Sequence, residues 1–158
     1  LWSATPLAAP VDDAVNSSAS FMPGGTVAFV GGQKQVRFVS VHTTSPWQGD
    51  WRQWKRSLDE LGLKRADEGT RYVFMGDFNA TMDHASMREF LGTRFHDAAY
   101  GSGHGFAFTA PANLFAVPTL TAADHVVVDS DMTAGQVQAK RVSGSDHAAL
   151  LATIDVGR

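Results

Sequence analysis

Aspartate, asparagine and histidine side chains lie next to apolar runs in this sequence, in a pattern suited to phosphoester chemistry. Asp77 and Asn79 follow the apolar run at residues 72–75, and Asp146 and His147 precede another apolar run near the C-terminus. An ionised carboxylate binds a hard cation such as Mg²⁺, and a carboxamide donates to a phosphoryl oxygen without adding negative charge. These residue types predict a metal-dependent phosphatase or phosphodiesterase.

The spacing of Asp77 and Asn79 predicts that both side chains face one pocket. Side chains two residues apart in an extended backbone point to the same side, whereas the intervening Phe78 turns back into the core. An isolated run of this kind would favour a simple turn after a strand. The acidic motifs further along the chain reverse that preference.

One of these motifs places Asp124 at the head of a valine-rich strand at residues 126–128. A histidine that takes a proton from water works best when a carboxylate fixes its tautomer and orientation. Asp124 is therefore the predicted partner of His147. His125 alternates to the opposite side of the strand, so we expect it to pack in the interior.

These motifs, in this order, resemble those of the endonuclease/exonuclease/phosphatase family, the DNase I-like superfamily of Mg²⁺-dependent phosphoesterases. Four stretches carry the resemblance: residues 38–42, residues 76–79, Asp124-His125-Val126 and Ser145-Asp146-His147. The resemblance implies a layered α/β sandwich of two packed β-sheets flanked by helices. It also implies a Mg²⁺ or Mn²⁺ cofactor.

The resemblance assigns a role to each matching side chain. The implied catalytic set is His42, Asp77, Asn79, Asp124 and His147. In this set His42 contacts the scissile phosphate, and Asp77 and Asn79 bind and position the phosphate or the nucleophile. Asp124 partners His147, which is the base or a phosphate contact. The implied metal ligands are Asp146 and Asp77.

The resemblance also implies what accompanies this chain. Family members carry a strand that ends in a metal-binding Glu, and nothing before His42 fits that strand. We interpret residues 1–158 as a partial domain that lacks the N-terminal strands, so that one partner is the missing segment of the same domain. The other partner is a phosphoester substrate: a nucleic acid, a phospholipid head group or a small phosphoester. Local likeness at residues 109–113 and 117–120 indicates an extracytoplasmic bacterial protein with an upstream membrane anchor.

Composition narrows the function further. The chain has 158 residues, of which 44% are hydrophobic, and this length suits one core. Its net charge is −3 and it carries no basic block, which favours recognition of one phosphate over a salt-dependent track along DNA. The absence of cysteine excludes disulfides, thiolate catalysis and cysteine-type zinc sites. The alternative to an enzyme is a non-catalytic phosphate-binding or interaction module that lacks the metal-binding Glu.

The elements that position these residues follow from hydrophobic periodicity. Residues 12–25 predict a loop, and residues 26–30 and 36–42 predict a hairpin joined by a turn at residues 31–34. A helix is predicted over residues 46–62, with an apolar stripe formed by Trp47, Trp51, Trp54, Leu58 and Leu61. We interpret this stripe as core-facing rather than as a platform for stacking bases, because stacking needs exposed rings.

Overall fold

The computed structural model describes residues 1–13, 21–29, 35–103, 105–113 and 118–157, which form two β-sheets and three helices. The strands are β1 (Ala8–Asp12), β2 (Pro23–Val27), β3 (Gln35–His42), β4 (Thr70–Asp77), β5 (Phe95–Asp97), β6 (Asp124–Asp129), β7 (Thr133–Lys140) and β8 (Ala149–Asp155). The helices are α1 (Trp51–Gly62), α2 (Ala85–Leu91) and α3 (Ala98–Gly101). No helix in these ranges combines the length and apolar character needed to cross a bilayer.

Six strands form one sheet in the order β1-β2-β3-β4-β6-β5, and β7 and β8 form a separate antiparallel hairpin. Strands β3 and β4 are parallel, and the other neighbours in the large sheet are antiparallel. Helix α1 lies in the connection between the two parallel strands, which is the kind of crossover that parallel pairing requires. The layered α/β architecture expected from the sequence is confirmed.

The two faces of the large sheet are packed differently. Alternate residues of the strands, including Val39 and Phe74, are buried against α1 and α2 in one hydrophobic cluster. Residues of the opposite parity, including Phe38 and Met75, face the β7–β8 hairpin, where they are only partly buried. This second face ends at the candidate active site.

The predicted hairpin of β2 and β3 is present, but β2 begins at Pro23 rather than at residue 26. The glycines that indicated a loop are part of the strand, because neighbouring side chains leave no room for larger residues. A Cβ on Gly24 would lie 1.8 Å from Asp13 Oδ2, and one on Gly25 would lie 2.8 Å from Leu7. The predicted turn at residues 31–34 lies outside the described residues.

The apolar stripe on α1 is core-facing only in part. Trp54 is 7% exposed, and Leu58 and Leu61 are also buried, whereas Trp47 is 81% and Trp51 is 52% exposed. The interpretation of the whole stripe as core-facing was therefore wrong for its first two members. Residues Trp47–Gly49 form a 3-10 turn, and Gly49 has a left-handed φ of +91°, so the helical period does not extend back to Trp47.

Candidate active site

Three of the predicted site residues lie side by side on adjacent strands. His42 of β3 pairs with Asp77 of β4, and Asp77 pairs with Asp124 of β6. Directly paired residues of neighbouring strands point to the same face of a sheet. His42, Asp77 and Asp124 therefore form one row, which we call the polar row, at the end of the partly covered face.

His147 reaches the polar row from the loop between β7 and β8. Its Nδ1 lies 2.7 Å from Asp124 Oδ2, so the predicted pairing of these two side chains is present. With the proton on Nδ1, the ring donates to the carboxylate, and Nε2 is left as the nitrogen that can accept a proton. The Ser145 hydroxyl accepts a hydrogen bond from the His147 backbone N–H at 3.2 Å.

A buried threonine holds both members of this pair in place. Thr109 Oγ1 accepts the backbone N–H of Asp124 at 3.3 Å, and the Thr109 carbonyl accepts the N–H of Ala148 at 2.8 Å. Thr109 thus connects the start of β6 to the loop that carries His147. The sequence reasoning did not identify this positioning residue, although Thr109 opens one of the stretches that carry family likeness.

Asn79 lies beside the polar row, and its backbone has a left-handed conformation that the sequence did not predict. Its φ is +47°, so the extended alternation expected from Asp77 to Asn79 is wrong at this position, although Phe78 is buried as expected. The Asn79 backbone N–H donates to Asp77 Oδ1 at 2.7 Å, and its side-chain amide donates to Asp77 Oδ2 at 3.3 Å. Asn79 thereby fixes the orientation of the Asp77 carboxylate.

Thr43 holds the loop after β4 in place with three hydrogen bonds. Its N–H donates to the Asp77 carbonyl at 3.0 Å, its hydroxyl donates to the Phe78 carbonyl at 2.6 Å, and its carbonyl accepts the Asn79 amide at 2.9 Å. Trp54 Nε1 also donates to the Phe78 carbonyl, at 3.0 Å. Thr43 was not among the predicted site residues, and its position immediately after His42 was the available signal.

The carboxylates and the imidazole of the site shift one another's pKa values. Burial raises the pKa of Asp77; the Asn79 N–H acts in the opposite direction, but the charge of Asp124 raises the pKa further, and the net change is upward. Burial lowers the pKa of His147, but its hydrogen bond with Asp124 and the charges of Asp124, Asp77 and Asp146 outweigh this, so that the pKa lies above 6.5. The site therefore gathers negative charge that favours a proton or a cation.

Asp77, Asp124 and His147 can each offer one ligand atom, and these atoms all lie within 4.8 Å of one another. Two partly buried carboxylates at close range repel each other, and a cation between them relieves that repulsion. Carboxylate oxygens suit Mg²⁺, and the addition of an imidazole suits Mn²⁺, so the donor set fits the expected cofactor. Asp146 is exposed and is not part of this group, and its role as a metal ligand stays a prediction.

His125 supports the site from the opposite face of the sheet. Its Nδ1 lies 2.8 Å from Asp97 Oδ2, its Nε2 lies 2.8 Å from the Ala80 carbonyl, and its ring packs edge-on against Phe78. Burial lowers the pKa of His125, but the hydrogen bond and charge of Asp97 outweigh it, so the pKa is raised. The expectation that His125 packs in the interior is confirmed.

An open groove leads away from the polar row between the large sheet and the β7–β8 hairpin. Its volume is about 460 Å³, and its lining includes Phe38, Met75, Asp124 and Leu150. The site thus combines a polar end with an apolar channel.

Comparison with known sequences and structures agrees with this arrangement. Residues 1–147 match the profile of the Endonuclease/Exonuclease/phosphatase family. We found no match among curated proteins.

Several solved structures share the fold. A conserved protein of unknown function from Enterococcus faecalis V583 has a TM-score of 0.69 at 16% identity, over 89% of this chain and 59% of that chain. The mannosyl-6-phosphatase Bt3783 from Bacteroides thetaiotaomicron VPI-5482 has a TM-score of 0.65 at 14% identity, over 87% and 59%. D. rerio TDP2, solved with a single strand DNA product, has a TM-score of 0.67 at 17% identity, over 93% and 66%. This chain therefore spans about three fifths of the length of these structures.

Proposed function

The chain belongs to the endonuclease/exonuclease/phosphatase family, and we propose that it is a divalent-metal-dependent phosphoester hydrolase that works by in-line attack of water on phosphorus. The class includes phosphodiesterases, phosphatases and nucleases. The observation that carries this proposal is the polar row with His147 hydrogen-bonded to Asp124 at 2.7 Å. The names of two structural neighbours, a mannosyl-6-phosphatase and TDP2 with a DNA product, also support a phosphoester substrate.

His147 is the general base in this proposal. Asp124 holds the imidazole in the tautomer that leaves Nε2 free to accept a proton from water, and it stabilises the imidazolium that forms. The water oxygen forms the new bond to phosphorus while the bond to the leaving oxygen breaks. The leaving oxygen takes a proton from solvent, and His147 then releases to solvent the proton that it took from the water.

His42, at one end of the polar row, contacts the phosphoryl group in this proposal. His42 is exposed at the end of β3 beside Asp77, where its imidazole can donate to a phosphoryl oxygen. Asn79 and Thr43 keep Asp77 and the loop after it in one geometry.

Asp77 and Asp124 would hold the cation in this proposal, with Asp146 as a further predicted ligand, and His147 stays off the metal so that its Nε2 can act as the base. A bound Mg²⁺ or Mn²⁺ neutralises phosphoryl oxygens and stabilises the leaving oxygen.

We expect the full-length protein to hydrolyse bis(4-nitrophenyl) phosphate in the presence of Mg²⁺ or Mn²⁺ and to lose this activity in EDTA. Asp124→Asn keeps the size of the side chain but removes the charge that orients His147 and stabilises its protonated form. The kcat should fall by about 100-fold or more. The release of 4-nitrophenolate, followed by absorbance, measures both effects.

Asp59→Asn is the matched control, because Asp59 is a surface carboxylate on α1 that pairs with Lys55. This variant should keep the activity of the unmodified protein. Turnover that persists in EDTA, or an Asp124→Asn variant as active as the control, would contradict the proposed mechanism.

The second candidate is a non-catalytic module that binds phosphate. It is favoured by the composition of the possible metal group, which within the described residues contains two aspartates and a histidine but no glutamate. Such a module would bind inorganic phosphate, as measured by equilibrium dialysis. It would release no 4-nitrophenolate in the chromogenic assay. An extracytoplasmic location and an upstream membrane anchor stay predictions.

A further inference from the structure

His125 makes a hydrogen bond with each of its ring nitrogens, although it lies on the face of the large sheet away from the polar row. Nδ1 lies 2.8 Å from Asp97 Oδ2, Nε2 lies 2.8 Å from the Ala80 carbonyl oxygen, and the side chain is 4% exposed. A carboxylate and a carbonyl only accept hydrogen bonds, so both ring nitrogens donate. Packing in the interior would require neither of these two bonds.

The Asp97 carboxylate fixes the orientation of this ring. Its Oδ1 accepts the backbone N–H of Tyr100 at 2.8 Å at the start of α3, while its Oδ2 accepts the Nδ1–H of His125. Because the carboxylate is buried, the imidazole cannot rotate without breaking a charge-assisted hydrogen bond. Nε2 is therefore held toward the Ala80 carbonyl.

Two contacts of His125 lie on either side of Asn79. The Phe78 ring packs edge-on against the imidazole, with 5.6 Å between the ring centroids, and the Ala80 carbonyl accepts the Nε2–H. Asn79, between them, has a φ of +47°. A left-handed conformation costs free energy in a residue other than glycine, and it persists only where the surrounding structure holds it. His125 contacts both residues that flank this conformation.

Asn79 connects these contacts to the polar row. Its backbone N–H and its side-chain amide both donate to the Asp77 carboxylate, at 2.7 and 3.3 Å. Thr43 holds the carbonyl that precedes Asn79, and His125 holds the carbonyl that follows it. If the second of these bonds were lost, Asn79 could relax and the Asp77 carboxylate would lose its donors.

We propose that His125 is a positioning residue whose hydrogen bond to the Ala80 carbonyl keeps Asn79 left-handed and thereby orients the Asp77 carboxylate in the active site. This inference rests on the proposed function, because the orientation of Asp77 affects turnover only if Asp77 takes part in the chemistry. Groups that orient a metal ligand change metal affinity or activity by about 10- to 100-fold when they are removed.

Two substitutions separate the two hydrogen bonds of the ring. A glutamine can place its amide nitrogen near the position of Nε2 and keep the bond to Ala80, whereas an asparagine can place its amide nitrogen near Nδ1 and keep the bond to Asp97. We expect His125→Asn to lower the kcat for bis(4-nitrophenyl) phosphate by about 10- to 100-fold, and His125→Gln to lower it by about threefold or less. The release of 4-nitrophenolate by the full-length protein measures both values.

The stability of the two variants should follow the opposite order. His125→Gln leaves the buried Asp97 Oδ2 without a donor, and an unpaired buried charge costs more than an unpaired carbonyl. The urea midpoint should therefore be lower for His125→Gln than for His125→Asn. If His125 only supported the fold, the less stable variant would also be the less active one. His96→Asn, a partly buried histidine on β5, is the matched control and should keep the kcat of the unmodified protein.

A double-mutant cycle with Asn79→Ala tests the route from His125 to the polar row. In the Asn79→Ala background, His125→Asn should lower kcat by no more than about twofold further, because the residue through which it acts has been removed. A further loss as large as in the unmodified background would place the effect on Asp124, the neighbour of His125 in β6, and would overturn the proposal.

Mn²⁺ binding, measured by isothermal titration calorimetry, gives a readout that does not depend on turnover. His125→Asn should weaken Mn²⁺ binding by about 10-fold or more, and His125→Gln should leave it close to that of the unmodified protein. An unchanged kcat and Mn²⁺ affinity in His125→Asn would overturn the proposal, as would a 10-fold loss of either in a folded His125→Gln, so that one variant decides if the other does not fold.

The same measurements separate this inference from the proposed function. Mn²⁺ affinity that depends on His125, without hydrolysis of bis(4-nitrophenyl) phosphate by the unmodified protein, would reject the proposed function and keep the positioning of Asp77. Metal-dependent hydrolysis that is equal in the unmodified protein and in His125→Asn would keep the proposed function and reject the positioning role.

Discussion

Gly76 is the residue on which the position of Asp77 depends most directly. Its φ is +138°, a value that residues with a side chain rarely adopt, and a Cβ there would lie 2.1 Å from the Val41 carbonyl oxygen. Glycine therefore allows β3 and β4 to stay in contact to the last pair of the ladder, where His42 meets Asp77.

We expect Gly76→Ala to lower the free energy of unfolding by about 3 kcal/mol or more, because both the unfavourable φ and the overlap with Val41 must be relieved. The shift of β4 away from β3 should also reduce phosphoester hydrolysis, since Asp77 moves with the strand. Urea unfolding followed by circular dichroism measures the first effect, and the chromogenic assay measures the second.

Gly69→Ala is the control for this substitution. The nearest atom that its Cβ would meet is Asp67 Oδ1 at 3.5 Å, an ordinary contact. This variant should unfold close to the midpoint of the unmodified protein. If Gly76→Ala and Gly69→Ala lowered the free energy of unfolding and the hydrolysis rate equally, the close approach of the two strands would not constrain the site.

Residue types were enough to predict much of the site. The remaining parts depend on backbone conformation and backbone hydrogen bonds, which residue types do not specify. The Asp124–His147 pair could be proposed because a carboxylate and an imidazole have a clear mutual use. The conformation of Asn79 could not be predicted, because a left-handed residue after a strand has no distinct sequence signature when it is not glycine. Thr109 was missed because its contribution is made partly through its backbone carbonyl.

At the scale of elements, the connection from α1 to β4 is held by hydrogen bonds to a short turn. The Asp67 carboxylate accepts from the Tyr72 hydroxyl at 2.8 Å and from the Gly69 N–H at 3.1 Å. Arg94 donates to the carbonyls of Asp67 and Thr70, both at 2.6 Å. These bonds fix where β4 begins, and hence the register that brings Asp77 beside His42.

Asp67→Asn should destabilise the protein at neutral pH and have less effect in acid. Burial raises the pKa of Asp67, but donors from Tyr72, Thr70 and Gly69 outweigh it and hold the pKa below 3.8. A lowered pKa in the folded state gives stability that is present above pH 3.8 and is lost as the pH falls through the folded value. We expect a loss of about 0.5–1 kcal/mol at pH 7, because the group is only partly buried and solvent weakens its interactions.

Unfolding by urea at several pH values between 3 and 7 measures this dependence. The difference between the unmodified protein and Asp67→Asn should shrink as the pH falls below 3.8. Glu68→Gln, which changes the adjacent exposed carboxylate, should show no comparable difference at pH 7. If the two proteins differed in free energy of unfolding by the same amount at all pH values, ionised Asp67 would not be the source of the stability.

The elements themselves were largely predictable, and their ends were not. A continuous apolar run indicated β4, and the helical period indicated most of α1, because burial on both faces of a strand or on one face of a helix imposes those patterns. The start of β2 was hidden by Gly24 and Gly25, which are strand residues here because Asp13 and Leu7 crowd them. The start of α1 was misjudged because the apolar period continued through Gly49 to Trp47, where the helix does not extend.

At the scale of the whole molecule, the large sheet has one face packed by helices and one face covered only in part by the β7–β8 hairpin. Phe74 is fully buried on the first face, whereas Phe38 on the second lines two open grooves of about 670 and 460 Å³. The sequence predicted two packed sheets but could not show which strands would leave this groove open, because that depends on long-range pairing.

We expect the two faces to respond differently to the same substitution. Phe74→Ala should cost about 3–5 kcal/mol of unfolding free energy, since it removes a ring from a closed core and leaves a cavity. Phe38→Ala should cost only about 1–2 kcal/mol in this chain, because part of the ring already contacts solvent and no closed cavity forms. Urea unfolding at pH 7 compares the two variants, and equal losses would show that the second face is as well covered as the first.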